Sequence, residues 1–199
     1  MRHLGRASLI LAACLSAAPA LAQRGAMTLP RNLEQLTASA ADIVRGTVLS
    51  ARVEKHPELP NLDTVVVTLR LSDTLKGSAQ TTFTFRQYIW DIRDRKDAAG
   101  YFKGSEYLLL LNAPSRYGLT SPAGMEQGRF HILRNSEGRQ VAVNGRGNAL
   151  LMRGVGGSLA EKGTPLSPDS SRLVERHQGG PIAVDDLVQL LRELVRSHG

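Results

Sequence analysis

The sequence is poor in cysteine, with one thiol, Cys14, in 199 residues. Cys14 lies in an N-terminal segment that has the features of a removable export signal. If that segment is removed, the remaining chain has no cysteine. Disulfide bonds, thiol nucleophiles and thiolate metal sites are then excluded together.

Long apolar runs are also lacking, and no segment reaches the roughly 20 continuous apolar residues that a membrane-spanning helix needs. The N-terminal segment has a positive start, an apolar stretch and a small-x-small sequence at Ala20-Leu21-Ala22. It predicts a signal peptide over residues 1–22 and a periplasmic or secreted protein that begins at Gln23. The alternative is a lipobox ending at Cys14, where lipidation would anchor the protein to the membrane. The apolar run continues past Cys14, which favours simple cleavage.

Charge of one sign is not strongly in excess. The chain carries 25 basic and 18 acidic residues, and loss of Arg2 and Arg6 with the signal lowers the net charge from +7 to +5. This modest excess is spread along the chain, so we predict no nucleic-acid partner. The length after residue 22 fits one domain. We expect a β-rich domain over 23–144, a Gly- and Pro-rich loop over 145–180 and a C-terminal helix over 181–199 that packs on the same domain.

Alternation of apolar and polar residues predicts mainly β structure after a short helix that Asn32 caps in a capping box with Gln35. A first strand from Asp42 changes its apolar parity after Val48, which predicts a bulge or bend that Gly46 eases. Long first strands that bend in this way are typical of small closed barrels. Further alternation predicts that Val67, Leu69 and Phe83 are buried and that Thr68 and Thr84 are not. A continuous apolar run over 107–111 predicts a central strand, and a last hairpin is expected around 135–138.

Two Lys-Gly pairs, Lys76-Gly77 and Lys103-Gly104, could suggest phosphate binding. A phosphate loop needs several glycines that lead into a helix, with Ser or Thr after the lysine. Both pairs instead precede strands, so we interpret them as turns with solvated lysines.

No motif predicts catalytic residues, metal ligands or a cofactor. Four histidines follow residue 22, and they are His56, His131, His177 and His198. They have neither the i, i+4 pairing nor the neighbouring glutamate of a helical zinc site, and surface positions are expected for them. The glycines at 154–157 lack the residues that would follow in a phosphate or dinucleotide loop, and they are interpreted as a flexible linker.

Aromatic and basic residues are concentrated in one segment, residues 86–104. Such mixtures are typical of protein-binding surfaces, where aromatic rings and arginines supply most of the binding energy. The alternative is a structural connection whose aromatic rings cover the barrel while its charges face water. The candidate binding residues are Arg86, Tyr88, Trp90, Arg93, Arg95, Tyr101 and Phe102. Asp91, Asp94 and Asp97 lie among these bases and weaken a nucleic-acid interpretation.

The order of the short motifs resembles that of a group of uncharacterised exported bacterial proteins. "LEQLTASAADIVRGTV", "LSDTLKG", "KGSEYLLLL", "GMEQGRFHIL" and "DDLVQLLRELV" carry this resemblance, which covers most of the chain after residue 22. The layout is also similar to the netrin-like domain of metalloprotease inhibitors, through "ADIV", "LKG" and "EYL". That resemblance implies an OB-like, closed or partly open barrel of five or six strands with a short N-terminal helix and an amphipathic C-terminal helix.

The inhibitor mechanism is not implied, because those inhibitors place an N-terminal cysteine amine on the protease zinc. A chain beginning at Gln23 has no such cysteine. We therefore expect an exported, non-enzymatic binding module whose partner is a protein of the cell envelope. The first alternative is a protease-inhibitor-like or protease-associated protein, and the second is an enzyme whose site is assembled from scattered residues.

Overall fold

The structure is a computed structural model that describes residues 28–161 and 163–198. The predicted signal peptide and Cys14 lie outside these residues. The described chain is mainly β, with one seven-stranded antiparallel sheet and four α-helices. No helix in the described ranges is long and apolar enough to cross a membrane.

The sheet has the strand order β3-β2-β1-β4-β5-β6-β7. Its strands are β1 (Asp42–Lys55), β2 (Asp63–Lys76), β3 (Thr82–Tyr88), β4 (Glu106–Leu111), β5 (Arg129–Arg134), β6 (Gln140–Asn144) and β7 (Ile182–Ala183). The helices are α1 (Leu33–Ser39), α2 (Gly157–Glu161), α3 (Pro168–Arg176) and α4 (Val184–His198).

The expectation of a closed or partly open barrel of five or six strands is confirmed only as far as the mainly β class. The seven-stranded sheet is not closed, because β3 and β7 form its two ends and no ladder between described residues joins them. Closure needs a continuous strand beside β3. The described chain places only one isolated parallel bridge there, between Arg86 and Leu119 of the connection after β4. The Thr120 N–H donates to the Arg86 carbonyl at 2.8 Å, and the chain then turns away.

The bend in β1 is confirmed. Val48 pairs with Leu69 and Ser50 pairs with Thr68, so Leu49 is the extra residue of a bulge. A side chain at Gly46 would bring its Cβ within 2.6 Å of the Arg70 carbonyl oxygen, which is closer than real contacts allow. Glycine at position 46 therefore lets β1 approach β2 as the strand bends.

The central strand is β4, as the apolar run predicted, and it is buried on both faces. Leu108 and Leu110 join an apolar cluster with α1 and α4 on one face. Leu109 and Leu111 join a second cluster with β1, β2 and β3 on the other. The sequence of a strand that is buried on both faces is a continuous apolar run rather than an alternation of apolar and polar residues.

The capping box at α1 is confirmed. The Asn32 side chain accepts from the Gln35 N–H at 2.8 Å, and the Gln35 side chain accepts from the Asn32 N–H at 3.1 Å. The expectation of a solvated Lys76 is wrong, although the pair does form a turn. Lys76 Nζ donates to the carbonyls of Thr37 at 3.2 Å and Ala40 at 2.5 Å. Lys76 thus satisfies carbonyls at the C-terminal end of α1.

The expectation of a loop over 145–180 is wrong in part, because α2 and α3 lie within it. α3 begins where Ser167 accepts from the Ser170 N–H, with Pro168 in the first turn. Serine as N-cap followed by proline is a helix-start signal that the sequence contained. The C-terminal helix is confirmed as α4, whose Leu187, Leu190 and Leu191 are fully buried.

Glu193 of α4 holds the start of α3. Its Oε2 accepts from the Ser167 N–H at 2.9 Å, and its Oε1 accepts from Ser167 Oγ at 2.7 Å and Ser170 Oγ at 2.9 Å. Burial alone would raise the pKa of Glu193, but these hydrogen bonds favour the carboxylate and lower its pKa overall.

Because the pKa of Glu193 is lowered on folding, its contribution to stability is present above the unfolded pKa of about 4.3. That contribution is lost as pH falls through the folded-state pKa. We expect Glu193→Gln to make the free energy of unfolding less dependent on pH between about pH 6 and 3. Urea unfolding across this range measures the effect, with Glu175→Gln on exposed α3 surface as control. Identical pH profiles for wild type and Glu193→Gln would contradict it.

Candidate functional site

The segment from the end of β3 to the turn before β4, residues 88–104, is the aromatic connection. It leaves the edge of the sheet at Tyr88, forms two 3-10 turns over Ile92–Arg95 and Ala98–Gly100, and returns to β4. Asp91 starts the first turn by accepting from the Arg93 N–H at 2.9 Å. The chain is thus locally ordered between the two strands.

Large apolar side chains are exposed along this connection. Trp90 is 59% exposed, Ile92 72% and Phe102 52%. The Tyr88 and Trp90 rings meet edge to face with their centroids 4.9 Å apart. The expectation that Trp90 is at least partly exposed is therefore confirmed. Ile92 was not among the predicted binding residues, although it lies two positions after the tryptophan.

The predicted arginines of the connection are exposed and lie in ion pairs. Arg93 forms hydrogen bonds with both carboxylate oxygens of Asp91, which raises the pKa of Arg93. Arg95 lies 3.6 Å from Asp63 at the start of β2. Pairs at this exposure contribute little to stability. Their guanidinium groups remain accessible to a partner.

Arg86 lies within β3, outside the connection. Its guanidinium donates to Glu54 Oε1 at 2.8 Å and to Thr64 Oγ1 at 2.7 Å. Glu54 belongs to β1 and Thr64 to β2, so Arg86 connects β3 with both of these strands. Arg86 therefore makes its contacts within the sheet and is not part of the aromatic connection.

The expectation that Tyr101 is a binding residue at the surface is wrong, because Tyr101 is only 2% exposed. Its hydroxyl donates to Gln87 Oε1 at 2.9 Å, and its ring packs 5.6 Å from the rings of Phe85 and Tyr107. Burial raises the pKa of Tyr101 above its ordinary value. Tyr101 anchors the connection in the core, as the structural alternative expected for part of this segment.

Arg129 of β5 is a second anchor that the sequence pattern missed. Its Nη1 donates to the Ala99 carbonyl at 2.5 Å, and its Nε donates to Glu126 Oε2 at 3.0 Å. The guanidinium lies over the Tyr101 ring, 4.8 Å from the centroid. A Cβ at residue 100 would lie 3.1 Å from Nη2, so Gly100 leaves room for the arginine. The contact joins residues distant in sequence, and no local signal indicates it.

The anchored turn also holds strained backbone. Ala98 and Ala99 adopt positive φ angles of 47° and 54°, which are unfavourable for residues with a Cβ. Such conformations persist only where surrounding contacts impose them, and they are common at functional sites. Here the contacts come from Arg129 on the Ala99 carbonyl and from the Tyr107 hydroxyl, which donates to the Gly100 carbonyl at 2.8 Å.

The histidines are not all at the surface as expected. His56 is 2% exposed, and its Nδ1 accepts from the N–H groups of Glu58 and Leu59 at 3.2 Å. His131 lies against the Tyr107 ring at 4.7 Å, and burial lowers its pKa. Within residues 28–161 and 163–198, no three His, Cys, Asp or Glu side chains form a group that could hold a metal ion.

Comparison with known proteins gives no relative. No protein family, no curated protein and no solved structure matches the chain.

Proposed function

We propose that this protein is an exported, non-enzymatic binding module that contacts a protein partner through the exposed side chains of the aromatic connection. One observation carries the proposal. Trp90, Ile92 and Phe102 are three of the seven large apolar residues found exposed in the described chain, and all three belong to this connection. Export is inferred from the signal sequence over residues 1–22, with periplasmic or secreted localisation.

Rigidity of the connection supports this role. Ordering a loop on binding costs free energy, so a surface that is already ordered binds more tightly for the same contacts. Contacts of Tyr101 and Arg129 with the rest of the fold hold the second turn, Ala98–Gly100, and Asp91 caps the first turn, Ile92–Arg95. The scaffold is proposed to be an opened relative of an OB-type barrel, for which the bend in β1 and the Arg86–Leu119 bridge are the supporting features.

The proposed occupant is a protein surface with an apolar recess and acidic groups near it. Trp90 and Ile92 supply the apolar contact area, and Arg93 and Arg95 lie close to them in the chain. Lys96 and Lys103 add exposed positive charge within the same connection. Aromatic residues with neighbouring arginines commonly supply most of the energy of protein interfaces.

Trp90→Ala is expected to weaken partner binding by about 2 kcal/mol, roughly thirtyfold in affinity, because a central interface aromatic commonly contributes this much. The partner, captured from an envelope extract with wild-type protein and then purified, is titrated by calorimetry against each variant. Leu133→Ala is the control, because Leu133 lies on β5, outside the connection, and its exposed fraction of 52% is close to the 59% of Trp90. Equal affinities of the Trp90→Ala and Leu133→Ala variants would contradict the proposal.

Stability should change little in the Trp90→Ala variant, because most of the ring already faces water. Trp90 is the only tryptophan, so unfolding of this variant is followed by circular dichroism rather than by fluorescence. In the wild type, Trp90 emission should be red-shifted and readily quenched by acrylamide. A large loss of stability would assign the ring to the fold rather than to binding.

A further inference from the structure

The outer edge of β3 is a second surface that the aromatic connection does not use. β3 ends the sheet, and on the side away from β2 the described residues contribute only the single bridge at Arg86. Residues 77–85 contain neither a charged residue nor proline. Edge strands are usually protected by such residues, because their free backbone groups otherwise pair with another chain. The edge of β3 lacks this protection from Thr82 to Phe85.

The direction of the backbone groups in β3 follows from two sets of hydrogen bonds. The Arg86 carbonyl accepts from Thr120, which lies outside the sheet, whereas the Ile89 N–H donates inward to the Asp63 carbonyl of β2. Alternate residues of a strand point their N–H and C=O groups to the same side. Thr82 and Thr84 share the parity of Arg86, so their four backbone groups face outward. No backbone hydrogen bond from the described residues reaches them.

A groove lies beside this edge, between β3 and the connection that follows β4. Its volume is about 400 Å³. Phe83, Thr84 and Phe85 form one wall, and Pro114, Gly118 and Thr120 lie on the other. The wall residues are therefore mostly apolar or hydroxyl-bearing. Val66, Asp42 and Arg86 also line the groove. Its two charged residues, Asp42 and Arg86, have opposite signs, and Arg86 is paired with Glu54 at 2.8 Å.

We propose that this groove binds an extended, uncharged peptide segment of a partner protein, which adds as a strand to β3 at Thr82 and Thr84. Main-chain hydrogen bonds supply affinity in this mode, and pockets for alternate side chains supply specificity. Apolar and hydroxyl-bearing walls favour apolar and threonine-like side chains in the segment. The site is distinct from the aromatic connection and does not depend on the binding role of Trp90.

The chain itself already uses this edge once. Leu119 runs parallel to β3 beside Arg86, and Thr120 makes the hydrogen bond that an added strand would make. This contact occupies one end of the edge and stops at Arg86. A partner segment would lie along the same outer edge of β3, between Arg86 and Thr82. The available length limits the added strand to the part of β3 before Arg86.

Amide hydrogen exchange tests the geometry directly. In the free protein the amides of Thr82 and Thr84 should exchange quickly, while those of Phe83 and Phe85, which face β2, are protected. The probe is an acetylated, amidated peptide of sequence Ser-Val-Thr-Val-Thr-Val-Ser. At millimolar concentration it should slow exchange at Thr82 and Thr84 by about tenfold or more. No change at either amide would overturn the proposal.

Proline substitution tests the role of the outward N–H groups. Thr84→Pro removes an N–H that faces the groove and leaves the hydrogen bonds to β2 in place. Peptide binding, measured by fluorescence anisotropy with a labelled probe, should fall at least tenfold, whereas Thr84→Ala should bind within about twofold of wild type. If Thr84→Pro does not fold, Thr82→Pro replaces it, because the first residue of an edge strand tolerates proline.

Two results would overturn the proposal. One is equal affinity of the probe for the proline variant and for Thr84→Ala. The other is protection of the Thr82 and Thr84 amides without peptide, increasing with protein concentration, which would assign the edge to a second copy of this chain. Because Trp90→Ala leaves this edge intact, failure of the aromatic surface and failure of the β3 edge are distinguishable.

Discussion

Leu69→Ala is expected to lower the free energy of unfolding by about 2–5 kcal/mol, the cost of removing a fully buried leucine from a packed core. Leu69 is 0% exposed and lies in the apolar cluster that β1, β2, β3 and β4 share. It pairs with Val48 on one side and Phe83 on the other. The cavity left by alanine would open at the centre of three strands.

The matched control is Thr68→Ala, one position earlier on the opposite face. Thr68 Oγ1 lies 3.0 Å from Thr84 Oγ1 in an exposed hydrogen bond. Loss of such a bond should cost about 1 kcal/mol or less, because water replaces the partner. Urea unfolding measures both variants. Equal and small losses at the two positions would mean that the register of β2 is wrong.

This register was predictable because the side-chain period of a strand is two, and one face of the strand is buried. Val67 and Leu69 are buried as predicted, whereas Phe83, at the edge, is only partly covered. The bulge after Val48 was predictable for the same reason, since the apolar residues change parity there. The alternation of apolar and polar residues therefore predicted these strands and which face of each is buried.

Closure was not predictable from these patterns, because it depends on what lies beside an edge strand. Residues 112–121 follow β4, and their backbone pairs with β3 only through the isolated Arg86–Leu119 bridge and the Thr120 hydrogen bond beside it. A short segment with Pro114 and Gly118 cannot supply a continuous ladder, since proline lacks an N–H and glycine favours a turn. The resemblance in motif order predicted a barrel. The order of motifs along the chain, however, does not specify whether the first and last strands of a sheet form hydrogen bonds with each other.

The candidate site was predictable as a segment but not residue by residue. Trp90 is exposed and Tyr101 is buried, although both lie in the same run of aromatic and basic residues. The difference comes from Gln87 and Arg129, which supply partners for the Tyr101 hydroxyl and ring. These partners lie on two different strands, and their approach depends on the fold. A single sequence without tertiary contacts does not distinguish the two rings.

Arg129 is the residue on which the geometry of the connection depends most. Its side chain is nearly buried, and its three contacts point in different directions: to Glu126, to the Ala99 carbonyl and to the Tyr101 ring. Burial alone would lower the pKa of Arg129, but Tyr101 and Glu126 raise it overall, so the side chain stays charged. Glu126 is half exposed and can return to water if the pair is broken. The Ala99 carbonyl and the Tyr101 ring have no such replacement.

Arg129→Ala is therefore expected to lower the free energy of unfolding by about 2–4 kcal/mol, because the Ala99 carbonyl loses a charged donor and the Tyr101 ring loses its cation. Arg129→Lys should recover little of this loss, because one ammonium group cannot reach all three contacts as a planar guanidinium does. Arg139→Ala is the control: it breaks the exposed pair with Glu137 and should cost less than about 1 kcal/mol. Urea unfolding measures stability, and amide exchange over residues 98–101 reports whether the turn loosens. If Arg129→Ala costs no more than Arg139→Ala and leaves exchange in the turn unchanged, Arg129 does not anchor the connection. If the turn loosens and partner affinity also falls while Trp90 is intact, the rigid turn that follows the tryptophan in the chain contributes to binding.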